Sequence, residues 1–199
     1  AEFAFAGRWS GAVDVSLKGE DEPSVRIEVS GAEGLSIQTP GGRAGLTTQS
    51  GRFTFSRGRE ASPSTVRFDD WTGTLTTDGE PDGTATASGN ITTTGLPAGE
   101  PLRVELTGNR FESGVSRWLA SRSIAGAEGA IREHNPRGLF DLSLTLNPGP
   151  QGWLASGSLA PRSLVLSMSG EDVPLGSPTG RVEFQPGQGQ VRDLVLTGA

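Results

Sequence analysis

The sequence predicts a mainly β protein of about twelve or thirteen antiparallel strands with one short helical insert. Three observations lead there. Apolar and polar residues alternate along most of the chain, which is the period of a half-buried strand. The 199 residues include 30 Gly and 13 Pro, with 39 Ser and Thr, a composition rich in turn residues and poor in helix formers. The alternation is one-sided, as in antiparallel sheets, whereas buried parallel strands read as continuous apolar runs.

The first element is a long strand. Phe3, Phe5, Trp9, Val13, Val15 and Leu17 fall on one face, while Arg8, Ser10, Asp14, Ser16 and Lys18 fall on the other. Gly7 and Gly11 within it are expected to mark a kink or bulge. Val25, Ile27 and Val29 form the next set, followed by Phe53 with Phe55, Val66 with Phe68, and Trp71 with Leu75. Leu102, Val104 and Leu106 follow in the same manner. After the insert come Phe140, Leu142, Leu144 and Leu146, then Leu164, Leu166 and Met168, then Val182 and Phe184. Turn signals such as Pro40-Gly41-Gly42, Asp78-Gly79, Pro81-Asp82-Gly83 and Pro148-Gly149-Pro150 separate them.

From Phe111 to about Glu133 the period changes. Phe111, Val115, Trp118 and Leu119 make a helical stripe, and a second short helix is expected over 124–133, stopped by Asn135-Pro136-Arg137-Gly138. The expected organisation is a β block over 1–110, a helical insert over 111–134 and a second β block over 135–199 that continues the same sheet. A faint repeat joins the blocks. Gly51-Arg52-Phe53-Thr54-Phe55 resembles Gly180-Arg181-Val182-Glu183-Phe184, and Val66-Arg67-Phe68-Asp69 resembles Val191-Arg192-Asp193, at offsets of 125 to 129 positions.

Several function classes are disfavoured. Cysteine is absent and His134 is the single histidine, so thiolate and His-rich metal sites are excluded. A net charge of −6 disfavours nonspecific nucleic-acid binding and docking on anionic lipid surfaces. Of the 17 basic residues, 16 are Arg, which reads as genome bias. No apolar run reaches the ~18–20 residues of a membrane-spanning helix. The start Ala-Glu-Phe-Ala-Phe, without Met, leads us to expect a removed leader or a segment of a longer protein.

Candidate chemistry is sparse. Glu20-Asp21-Glu22, Asp69-Asp70 and Glu171-Asp172 do not follow calcium-loop spacing and read as solvated turn charges. His134 reads as a favourable group at a helix C-terminus. Ser113-Gly114 and Ser169-Gly170 lack the flanks of a nucleophile elbow. Trp9, Trp71, Trp118 and Trp153 read as core residues before sugar-stacking platforms, and Asn90-Ile91-Thr92 matches a glycosylation acceptor. No catalytic residue, metal ligand or cofactor site is expected. What remains is the dry face, which needs a cover: a second sheet (a closed β-sandwich), closure into a barrel, the helix, or an apolar ligand.

Residues 101–199 carry a texture that resembles a known family. It begins with Leu102-Arg103-Val104-Glu105-Leu106-Thr107-Gly108 and the helical insert. It continues with Asn135-Pro136-Arg137-Gly138-Leu139-Phe140-Asp141-Leu142-Ser143-Leu144-Thr145-Leu146 and closes with Pro178-Thr179-Gly180-Arg181-Val182-Glu183-Phe184 and Gly189-Gln190-Val191-Arg192-Asp193-Leu194-Val195-Leu196-Thr197-Gly198. This resembles the repetitive β-segments of bacterial AsmA/TamB-like envelope proteins. The resemblance implies a long, curved, taco-shaped sheet whose concave side shields phospholipid acyl chains. It implies a periplasmic, cell-envelope location and no catalytic residues. Its lining would be the alternating apolar residues named above. The chain departs from the family in lacking an N-terminal anchor and in being too short to bridge an envelope, so a segment or small relative is expected. Its sheet edges would then pair with further segments of the same parent or with another chain. On this reading Leu144→Asp is expected to abolish lipid retention and leave the sheet folded. Two other readings stand beside it: a structural or adhesive β-sandwich module of a surface or secreted protein, and a carbohydrate-binding β-sandwich.

Overall fold

A computed structural model describes residues 5–16, 24–39, 42–57, 65–92, 100–114, 116–117, 120, 127–149, 152–186 and 188–195. In chain order the elements are β1 (Phe5–Ser16), β2 (Ser24–Thr39), β3 (Gly42–Arg57), β4 (Thr65–Thr77), β5 (Glu80–Thr92), β6 (Leu102–Arg110), α1 (Ala127–His134), β7 (Leu139–Gly149), β8 (Gly152–Pro161), β9 (Val165–Met168), β10 (Glu171–Pro174), β11 (Thr179–Gln185) and β12 (Gln188–Val195). Ten strands form one antiparallel sheet in the order β1-β2-β3-β4-β5-β6-β7-β8-β11-β12, and β9 pairs with β10 in a small second sheet, with a single antiparallel bridge from Val165 to Arg137. Among the described residues the sheet does not close on itself into a barrel: β1 and β12 are its two edges. β6 pairs with β7 across the helical insert, with Leu106 opposite Leu142.

The registers convert the alternation of single strands into a common apolar face. Val13, Ile27, Phe55 and Val66 stand in one cross-strand row. Val29, Phe53 and Phe68 form a second. Trp71, Ala87, Val104, Leu144 and Phe184 form a third, with Gly157 between the last two. Ala85, Leu106, Leu142, Leu159 and Val182 form a fourth. A one-residue slip would turn a whole strand's apolar set to water, which is why these registers are strongly specified. The buried core runs from Val29 and Phe53 through Trp71 to Leu144 and Phe184, with Ile27, Leu46, Phe68, Val104 and Leu146 packed against it. Trp71 closes its polar end by donating its indole N–H to the Thr48 hydroxyl at 2.9 Å.

Bulges let the long strands keep this face. The register shifts at Gly7 and again at Gly11, as the glycines of β1 suggest. The internal repeat is a repeated bulge. Ser50 pairs with Thr72 and Arg52 with Asp69, so Gly51 faces Asp70-Trp71. Thr179 pairs with Val195 and Arg181 with Arg192, so Gly180 faces Asp193-Leu194. In both copies the glycine and the aspartate are left-handed, with φ of +74° and +45° at Gly51 and Asp70, and +97° and +46° at Gly180 and Asp193. A Cβ on Gly51 would stand 2.2 Å from the Asp70 carbonyl oxygen, and one on Gly180 2.2 Å from that of Asp193. Both strain and collision therefore act against any larger residue. Gly51→Ala and Gly180→Ala are each expected to lower stability by about 2 kcal/mol in urea titrations. Gly79→Ala, at a left-handed turn position with open space around it, is expected to lower it by about 1 kcal/mol.

The insert follows local rules. Ser113 caps a helical stretch that includes Gly114, Ser116, Arg117 and Ala120: its hydroxyl oxygen accepts the Ser116 N–H at 3.0 Å. Of the expected stripe, Val115, Trp118 and Leu119 lie outside the described residues. Phe111 stands in the preceding turn and packs on Phe140 with ring centroids 4.7 Å apart. α1 has Glu128 in its first turn and Arg132 and His134 in its last, the arrangement the helix dipole favours. It ends where left-handed Asn135 donates its N–H to the Ile131 carbonyl at 2.9 Å and Pro136 follows.

One strand falls elsewhere than its pattern suggests. Leu164, Leu166 and Met168 are not in the large sheet. Leu166 and Met168 lie on β9 and Leu164 just before it, in a small hairpin closed by a Ser169-Gly170 turn with φ of +53° and +87°. β8 pairs directly with β11, and the hairpin is carried between them.

Candidate functional site: an apolar cavity under the helical insert

At the β6–β12 end the apolar face is roofed. The floor is Leu106, Phe140, Leu142, Leu159, Val182 and Phe184 of the sheet, with Leu194 at its edge. The roof is Phe111, Ala120 and the Ala130, Ile131 and His134 positions of α1. Leu164 and Leu166 of the hairpin close a side. Together they line a partly open cavity of about 280 Å³ with an almost wholly apolar lining, in which Ser116, Arg117 and His134 are the polar residues. The space corresponds to roughly nine water-sized groups.

Seven of the residues expected to line a groove meet here: Leu106, Phe140, Leu142, Leu164, Leu166, Val182 and Phe184. Others are packed instead of lining open space. Val29, Phe53, Trp71, Leu102 and Leu144 are buried. Ile27, Val66, Phe68, Leu75, Val104 and Leu146 pack against that core, and Phe55 is half-buried. Trp9 and Val13 are on the β1 edge and are 44% and 52% exposed. Met168 is 50% exposed on the small hairpin and does not line the cavity. Phe3 and Leu17 lie outside the described residues, as do the side chains of Phe5, Val15 and Val25. The expected groove is thus side-chain-filled over much of its length and open beneath the insert.

Leu46, Ala85, Ala87, Leu159 and Leu194 belong to the apolar face or cavity without having been singled out in the sequence, and Phe111, read there as part of a helical stripe, joins them. The alternation Gly83, Ala85, Ala87, Gly89 on β5 was a usable signal, carried by small residues.

Arg117 organises the roof. Its Nε donates to the Phe111 carbonyl at 3.3 Å, and one terminal nitrogen donates to the Asn135 side-chain oxygen at 2.6 Å and the Pro136 carbonyl at 3.4 Å. It thereby ties the start of the insert to its end.

The opposite face is polar and ion-paired. Arg26, Glu28, Arg52, Asp69 and Arg67 form a chain of ion pairs across β2, β3 and β4 at 2.7 to 3.4 Å. The Arg67 guanidinium bound to Asp69 holds that carboxyl below its usual range, burial opposes this, and Arg52 adds to it. Asp172 beside Arg137 and Glu183 beside Arg181 are lowered in the same way. Their stabilisation is present at neutral pH and lost on acidification through the folded-state values, and it is small because the pairs are exposed. Asp69-Asp70 is therefore a bulge and ion-pair site, not a turn. Glu171 and Asp172 open β10, and Glu20-Asp21-Glu22 lies outside the described residues. Trp71 is buried, and Trp118 and the Trp153 side chain lie outside the description. Among the described residues no cluster of three His, Cys, Asp or Glu could hold a metal ion, and no helix is long and apolar enough to cross a membrane.

No protein-family model matches the chain, and no curated protein or solved structure matches it.

Proposed function

We propose that the chain is a non-enzymatic lipid-binding segment of a bacterial cell envelope, shielding acyl chains against the apolar side of its sheet. The observation that carries this reading is the cavity of about 280 Å³ between the insert and the sheet, whose polar lining is confined to three residues. Apolar concavities hold water poorly and accept apolar guests. A chain of roughly nine methylenes would gain roughly 7 kcal/mol on leaving water, at about 0.8 kcal/mol each. Association costs about 4 kcal/mol or more, so the chain alone binds weakly and contacts outside it matter. The periplasmic setting and the AsmA/TamB-like groove type remain part of this proposal, supported by the texture of residues 101–199 and by the open antiparallel sheet.

Gentle purification followed by lipid extraction and mass spectrometry tests it. Wild type is expected to carry lipid, or to take up a fluorescent acyl probe. Leu166→Asp puts a carboxylate in the half-buried side wall, and Ala120→Phe fills the roof without adding charge. Both are expected to lose lipid by tenfold or more, since a buried unpaired carboxylate or a lost cavity each removes over ~1.4 kcal/mol. No lipid or probe on wild type, or equal loading of all three proteins, would overturn the reading.

A further inference from the structure

Arginine carries a permanent charge, and a partly buried one ordinarily faces a carboxylate. Three described arginines, Arg110, Arg117 and Arg137, are half-buried. Arg110 stands beside Asp82 and Arg137 beside Asp172. Among the described residues Arg117 has neutral acceptors alone: the Phe111 and Pro136 carbonyls and the Asn135 side-chain oxygen. It is also the arginine that lines the apolar cavity, next to Ser116 and in a wall shared with His134. Of the insert's carboxylates, Glu112 accepts the Gly138 N–H at 3.1 Å and Glu133 is exposed beside the His134 ring, and neither makes an ion pair with Arg117 among the described residues. A guanidinium with no carboxylate partner among the described residues, on a side chain that lines an apolar cavity, is complementary to a ligand that brings its own anion.

We infer that the cavity binds a single-chain amphiphile with an anionic head, a fatty-acid carboxylate, with its chain against Phe140, Leu142 and Leu166 and its head paired to Arg117. The inference rests on the acyl-cavity reading and deepens it by naming the ligand class. The volume favours one chain, since ~280 Å³ lies just below the roughly 300–1,000 Å³ of sites for drug-sized ligands. Because the hydrocarbon alone leaves little surplus, the head contact decides affinity.

Isothermal titration of the whole chain with decanoate and with 1-decanol separates the two readings. Decanoate is expected to bind about tenfold more tightly than 1-decanol, the size of one charge-assisted contact. Arg117→Gln is expected to bring that ratio close to one, and Arg117→Lys to restore part of it. Dihexanoylphosphatidylglycerol, with two chains and a phosphate head, is expected to bind at least about tenfold more weakly than decanoate. Should Arg117→Gln lose its fold, judged by circular dichroism, the decanoate to decanol ratio of wild type at low and high salt still decides. Equal affinity of wild type for acid and alcohol overturns the carboxylate assignment and leaves the acyl cavity standing. Equal affinity for the phospholipid overturns the single-chain assignment. Failure of every ligand to bind wild type overturns both this inference and the acyl-cavity reading.

Discussion

Leu144→Asp is expected to unfold the protein, not to strip lipid from a folded sheet. Leu144 is 2% exposed and sits mid-sheet between Val104 and Gly157 in the third apolar row. Its position offers no hydrogen-bond donor and no counter-ion, because that row is built of Trp71, Ala87, Val104 and Phe184. Removing the leucine loses its packing, and an ionised carboxylate there has no partner. The combined loss is about 4 kcal/mol or more, a large share of the roughly 5–15 kcal/mol that holds a domain together. Leu154→Asp is the control. Leu154 is 40% exposed on the polar side of neighbouring β8, opposite Asn147, and its substitution is expected to change stability by about 0.5 kcal/mol or less. Urea titration followed by circular dichroism compares the two. A folded Leu144→Asp protein with near-normal stability would mean that this row faces open space.

That result also marks where sequence patterning stops. Alternation identified the face correctly: Val29, Phe53, Trp71, Leu106, Leu144 and Phe184 all lie on it. It could not say which members face a void and which face one another, because both situations ask for the same residue types. The parity switches hid further members. On β3 the inward positions are Leu46 and Thr48 before Gly51 and then Phe53 and Phe55, and on β4 they are Val66 and Phe68 before Asp70 and then Trp71 and Leu75. A pattern read without the bulge sees two short strands where there is one long one. Leu164, Leu166 and Met168 alternate equally well in a hairpin outside the main sheet as in it, so their placement depended on pairing that only the fold supplies. Arg117 had no local signature at all. Its meaning comes from Phe111 and Asn135, which meet only when the insert folds back on itself.

The second large effect is expected at Asp82, which the sequence offers only as a turn residue. Asp82 is 2% exposed, just beyond the Asp78-Gly79 turn joining β4 to β5. Its two carboxylate oxygens are both used: one accepts the Thr77 hydroxyl at 2.6 Å, and the other accepts the Arg110 backbone N–H at 2.8 Å and lies 3.8 Å from the Arg110 guanidinium. Asp82→Ala leaves a buried hydroxyl, a buried amide and a half-buried cation without their partner at once. The expected loss is about 3 kcal/mol, since each orphaned group costs roughly 1–3 kcal/mol and the cation can partly reach water. Asp82→Asn keeps one acceptor but no charge, and about half that loss is expected. The effect extends to the cavity. Arg110 is the last residue of β6 and Phe111, the next, packs on Phe140 and forms part of the roof. Releasing the Arg110 amide frees the point from which the insert is hung. Hydrogen exchange should therefore rise at Arg110 and Phe111 in Asp82→Ala before it rises on β2 and β3, and decanoate affinity should fall in the variant under conditions where circular dichroism still reports a folded sheet. Exchange rising uniformly over all strands would instead make Asp82 a global stability element with no particular hold on the roof.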